Sequence, residues 1–118
     1  MNVVATEGPA DGRLVLRTGD WSSLRHGAEP VRRAVFVVEQ CLPEADEFDA
    51  DDPRSLHAVA FDAGVAVATG RLLPDARIGR MAVLAAYRRS GVGGQVLCRL
   101  LELAAARGDT EIVLSAQA

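Results

Sequence analysis

The sequence predicts an α+β fold: a mixed, mostly antiparallel sheet with helices on both faces. Apolar runs of strand length recur at residues 13–18, 56–61, 65–73, 77–84 and 111–115. Two stretches, one between Trp21 and Val38 and one from Val92 to Arg107, instead space their apolar residues as helices do. The order β-α-β-β-β-α-β makes the middle strands a meander, and it makes the last two strands parallel through a crossover helix.

Length and charge narrow the class. At 118 residues the chain is expected to form one domain over residues 13–118, after a loose leader at residues 1–12 that carries Gly8, Pro9, Asp11 and Gly12. Hydrophobic residues at 49% and charged residues at 25% are those of an ordinary globular chain. A net charge of −3 offers no footprint for nucleic acid, which needs clustered cations. No apolar run approaches the roughly 20 residues of a membrane span. Two cysteines make no disulfide framework, so the expected location is cytoplasmic. All 13 basic residues are arginine.

Each element has its local signals. Gly19-Asp20 offers a turn and a cap for a brief helix from Trp21 to His26. Pro30 suits a first helical position, so helix one is expected in two pieces broken before Pro30, with its end marked by Pro43. The chain then turns acidic from Glu44 to Arg54, with Glu44, Asp46, Glu47, Asp49, Asp51 and Asp52. Such a run reads first as a solvated surface, and otherwise as an attractor for a cationic amine. Leu56–Phe61 is apolar on both faces and reads as a central strand. Asp62-Ala-Gly64 turns it into a hairpin, and Pro74-Asp75 leads into the third strand. The helix Val92–Arg107 stops at Gly108, and the last strand is Glu111–Ser115. Cys98 falls within the helix pattern and is expected to be buried, whereas Cys41 is expected to be exposed. No metal site is expected, since the acidic run lacks the glycine and final Glu of a calcium loop.

The chemistry concentrates in Met81-Ala-Val-Leu-Ala-Ala-Tyr-Arg-Arg-Ser-Gly-Val-Gly-Gly94. A strand ends, a turn carries Arg88 and Arg89, and glycines open a helix. Unpaired N–H groups at a helix start hold anions, glycine lets the ligand come close, and arginine forks suit phosphate. The plain alternative is a tight strand-to-helix turn. A Walker loop is excluded because the chain has no lysine. The dinucleotide fingerprint is excluded because its third glycine and later acidic residue are not at the right spacing.

Arg88-x-x-Gly91-x-Gly93 after a strand resembles the acyl-CoA signature of the GNAT superfamily of N-acyltransferases. Val35-Phe-Val-Val-Glu-Gln40, the acidic loop, His57, Ile78-Gly-Arg80 and Ala116-Gln117 extend the resemblance to the ElaA-like branch, over roughly residues 31 to 118. The resemblance implies an enzyme that moves an acetyl group from acetyl-CoA to a small amine or peptide amine. It implies that Arg88, Arg89, Ser90, Gly91, Val92, Gly93 and Gly94 hold the pyrophosphate. Met81, Ala82 and Val83 would bind the pantetheine arm in a gap between splayed strands. Glu39 and His57 are the candidates for general base, each weighed against a structural role: an exposed helix-end carboxylate and a hydrogen-bonded core imidazole. The family's pattern continues past residue 118 into a helix and two strands, and that helix usually carries a Tyr placed to protonate the leaving thiolate. Tyr87 lies in the turn and does not match it. The chain is therefore expected to lack this C-terminal part and to expose an apolar sheet edge, for which three explanations compete: a truncated product, an assembly such as a homo-oligomer that covers the edge, or a degenerate acyl-CoA binder. A non-catalytic acetyl-CoA-binding or regulatory domain, or a truncated inactive acetyltransferase, is the alternative function.

Overall fold

The computed structural model describes residues 14–43 and 50–114. The expected leader, most of the acidic run (Glu44 to Asp49) and the closing Ala116-Gln117 lie outside the described residues.

Five strands form one sheet in the order β1-β2-β3-β4-β5. They are β1 (Leu14–Gly19), β2 (Leu56–Asp62), β3 (Val65–Leu72), β4 (Arg77–Val83) and β5 (Val113–Leu114). The first four pair antiparallel, and β5 lies parallel to β4. The fold class read from the sequence is therefore the one observed.

Alternation along β2 separates the two faces. Val59 and Phe61 pack with Leu24 and Ala28 of helix α1 (Trp21–Arg32). Ala58 and Ala60 pack with Val92, Val96, Leu100 and Ala104 of helix α2 (Val92–Arg107). Small alanines on the central strand let α2 approach closely, and the i, i+4 spacing of its four buried residues gives a single apolar stripe. Cys98 lies half a turn from that stripe and is exposed, not buried as expected. Gly108 ends α2 with φ 96°, the left-handed stop its sequence signals.

Helix one departs from expectation. It is not broken before Pro30; it runs unbroken through Pro30, capped by the Asp20 carboxylate accepting from the Ser23 N–H. Pro30 is exposed, so its ring faces solvent and only one backbone bond is lost. The irregularity comes three residues later, where Arg33–Glu39 continues as a π-helix. The run Val-Phe-Val-Val is β-branched and aromatic, a poor α-helix former, and wider turns at such places often accompany function. The chain leaves the helix at Gln40, whose N–H reaches back to the Val35 carbonyl.

In the described part of the acidic run, Asp52 departs from a solvated surface. Asp52, in a 3-10 turn (Asp52–Arg54), is 1% exposed. Its carboxylate accepts from Arg32 and Arg71, each at 2.8 Å. Asp52 is thus committed to an internal ion triad and does not attract an external amine.

Of the expected strand Glu111–Ser115, the pairing begins at Val113, and among the described residues Val113 and Leu114 pair with Arg77 and Ile78; Ser115 lies outside them. Val113 and Leu114 are both more than half exposed. No helix among the described residues is long and apolar enough to cross a membrane.

Candidate functional site

Two features of β4 shape the site. Opposite β3 the register slips: Thr69 faces Ala82 and Arg71 faces Gly79, so Arg80 and Met81 together stand across from Gly70. This β-bulge puts Arg80 at φ 51°, a left-handed conformation that a non-glycine residue adopts only when its surroundings impose it. A Cβ at Gly70 would run into Met81 Sδ and approach Leu100 Cδ1 to 2.9 Å, so a larger residue opposite the bulge would have to displace those two side chains. On its other edge β4 is paired only at Arg77 and Ile78 among the described residues. Among the described residues, the stretch Gly79–Val83, which includes Met81, Ala82 and Val83, has no strand paired to it on that edge.

After Leu84 the chain makes a 3-10 turn (Ala85–Tyr87) and then the corner into α2. Arg89 at φ 67° and Gly91 at φ 90° are both left-handed. Ser90 Oγ donates to the Tyr87 carbonyl and accepts from the Val92 N–H. Gly91 is the N-cap and has no side chain of its own; Ser90 takes the Val92 amide, which leaves the Gly93 and Gly94 amides of a 16-residue helix open to an anion. The glycines divide the work. Gly91 supplies the positive φ. Gly93 supplies clearance, because a Cβ there would stand 3.2 Å from Val83 Cγ2. At Gly94 an added Cβ meets nothing within 4 Å. A groove of about 390 Å³ opens from Gly91 and Gly94 along Gln95, Cys98 and Arg99 of α2, with Leu16 of β1 on its far side.

The turn is tied down at two neighbouring residues. Tyr87 donates its hydroxyl to Asp62 at the end of β2, at 2.5 Å. Arg88 donates Nε to the Val83 carbonyl at 3.1 Å and both Nη atoms to the Glu39 carboxylate, each at 2.6 Å. Two residues that the sequence assigned to separate tasks, Glu39 and Arg88, thus meet in one ion pair. Accepting from Arg88 holds the Glu39 carboxyl below the ordinary carboxylate range, opposite to the upward shift suited to a base near neutral pH.

His57 stands elsewhere. It is 1% exposed on β2, two strands and about 10 Å from β4 at the usual strand spacing. Its Nε2 lies 3.0 Å from the Asp52 carbonyl, which can only accept, so Nε2 carries the proton. Trp21 packs on the ring with centroids 4.8 Å apart, and Trp21 also takes Arg32 over its face at 5.3 Å. Burial lowers the His57 pKa, and the neighbouring Arg32 and Arg71 add to the lowering against the opposing pull of Asp52. Among the described residues no group of three His, Cys, Asp or Glu side chains converges as a metal site.

Sequence reasoning missed the Arg80–Met81 bulge and the Arg32–Asp52–Arg71 triad. Gly70 inside a strand pattern was a signal for the first. The triad joins residues 19 and 20 positions apart, and nothing local announces it.

Known proteins agree with this architecture. The profile described as "Acetyltransferase (GNAT) family" matches residues 21–118. The uncharacterized N-acetyltransferase YjcF of Bacillus subtilis (strain 168) is 37% identical over 90 residues, which are 74% of this chain and 64% of that protein. The chain thus spans just under two thirds of the length of that relative. The crystal structure of Escherichia coli ElaA superposes with a TM-score of 0.77 at 30% identity, covering 89% of this chain and 79% of that one. A putative N-acetyltransferase from Lactobacillus plantarum superposes with a TM-score of 0.75 at 32% identity, covering 84% and 72%.

Proposed function

The chain belongs to the acetyltransferase (GNAT) family, and from that premise we propose that it transfers an acetyl group from acetyl-CoA to a primary amine by direct attack. The observation that carries the reading is the tied turn between β4 and α2, whose glycine helix start lies at the end of a β4 edge that is unpaired beyond Ile78 among the described residues. In this reading the amides of Arg89 to Gly94 hold the pyrophosphate. Met81, Ala82 and Val83 receive the pantetheine arm as an added strand, and an amide of that stretch polarises the thioester carbonyl. The amine nitrogen attacks the carbonyl carbon, the C–S bond breaks, and the CoA thiolate leaves. Holding both reactants in line supplies much of the rate.

Proton transfers are assigned to water. Glu39 is neutralised by Arg88, His57 is buried two strands away, and the Tyr87 hydroxyl is committed to Asp62. The test is release of free thiol from acetyl-CoA by the 118-residue chain against a panel of small amines and peptides. Thiol release that depends on both substrates supports the transferase. Binding of acetyl-CoA with no release to any amine would make the chain a non-catalytic acyl-CoA binder.

A further inference from the structure

The signature turn carries two adjacent arginines, and the structure gives them different surroundings. A guanidinium has five N–H donors in one rigid plane. Arg88 commits donors from all three of its nitrogens, to the Val83 carbonyl on one side and to both oxygens of Glu39 on the other. Swinging toward a ligand would break all three bonds together. Arg89 is exposed at the left-handed corner, outside that clamp. The Arg88 tie crosses 49 residues of sequence, from the π-helical end of helix one to the residue after Tyr87, which is itself anchored on β2. The turn is thus fixed to three separate elements before any ligand arrives, which lowers the ordering cost of binding.

We propose that Glu39 is a positioning residue, holding Arg88 as a fixed tie that orders the phosphate turn, and that Arg89 is the arginine left to contact the phosphates. This rests on the acyl-CoA reading above. The role has a sign that distinguishes it from simple electrostatics. Removing a negative charge near a polyanionic ligand should by charge alone strengthen binding. Removing the tie should weaken it.

The experiment combines titration with acetyl-CoA and amide hydrogen exchange of the ligand-free chain, for wild type, Glu39→Gln, Arg89→Gln and the swap E39R/R88E. Glu39→Gln should weaken acetyl-CoA binding about fivefold, in line with loss of a partly exposed pair, and should speed exchange over residues 87–94 while the melting temperature stays near wild type. The swap should recover part of that loss, because it restores a carboxylate–guanidinium pair. Arg89→Gln should weaken binding at least as much as Glu39→Gln, with exchange in the turn unchanged. Tighter or unchanged binding by Glu39→Gln would overturn the proposal, and unchanged affinity with slowed thiol release would make Glu39 a base instead. A wild-type chain that binds no acetyl-CoA would overturn the reading beneath it. The exchange arm uses no ligand, and would then still decide whether Glu39 orders the turn.

Discussion

Replacing Asp52 by Asn takes one charge from the centre of a buried triad while nearly conserving volume. The Arg32 and Asp52 side chains are 1% and 2% exposed, and that of Arg71 is 7% exposed. Both arginines lie 2.8 Å from the same carboxylate oxygen, Oδ1. Breaking a buried pair by removing one partner costs about 3–5 kcal/mol, because the remaining charge keeps its desolvation penalty. Arg32 retains the face of Trp21, so the lower end of that range, about 3 kcal/mol, is expected here. Against a total stability of about 5–15 kcal/mol this is a large fraction. At roughly 4 °C per kcal/mol for a domain of this size, the midpoint should fall by about 12 °C. Paired thermal and urea melts read it, with an unchanged m-value confirming that the same surface unfolds. Asp75→Asn is the control: its pair with Arg77 is about half exposed, and the midpoint should not move. A loss below about 1 kcal/mol for Asp52→Asn would refute the reasoning, since that is the scale of a solvated pair.

Three further outcomes follow from the same geometry. Gly93→Val should abolish measurable acetyl-CoA binding in a titration while the chain still melts cooperatively, because the new branch crowds Val83 and covers the first-turn amides. Gly70→Ala should cost about 1–3 kcal/mol in a denaturant melt through overpacking against Met81 and Leu100. Folding lowers the His57 pKa, so the unfolded chain binds more protons between that lowered value and about 6.5. Stability should therefore rise with pH across that window and level off above it. His57→Asn should remove this slope from a series of melts at different pH, and a slope that persists would assign it to other groups.

What was legible in the sequence had local causes. The α2 boundaries followed from periodicity closed by Gly108, and the central place of β2 followed from an apolar run on both faces. The glycine turn between β4 and α2 was legible because its glycines and arginines are contiguous. What escaped depended on contacts across the fold. Asp52 looked like one more acid in a solvated run until the fold placed Arg32 and Arg71 around it. That Glu39 and Arg88 meet was not legible, because nothing in sequence shows that 49 residues of separation close into a 2.6 Å pair. Pro30 was overweighted: on an exposed face its ring costs one backbone bond, and the helix absorbs the loss. Cys98 was a misreading of phase, since its position opposite Val96 and Leu100 was already written in the spacing.

The measurement that bears most directly on the tied turn as an acyl-CoA site is a thermal melt of the 118-residue chain with and without acetyl-CoA. A ligand that binds only the folded state adds about 2.7 kcal/mol at 100 times its Kd. At roughly 4 °C per kcal/mol the midpoint should rise by about 11 °C. A cooperative transition at the same temperature with and without the ligand would contradict the account.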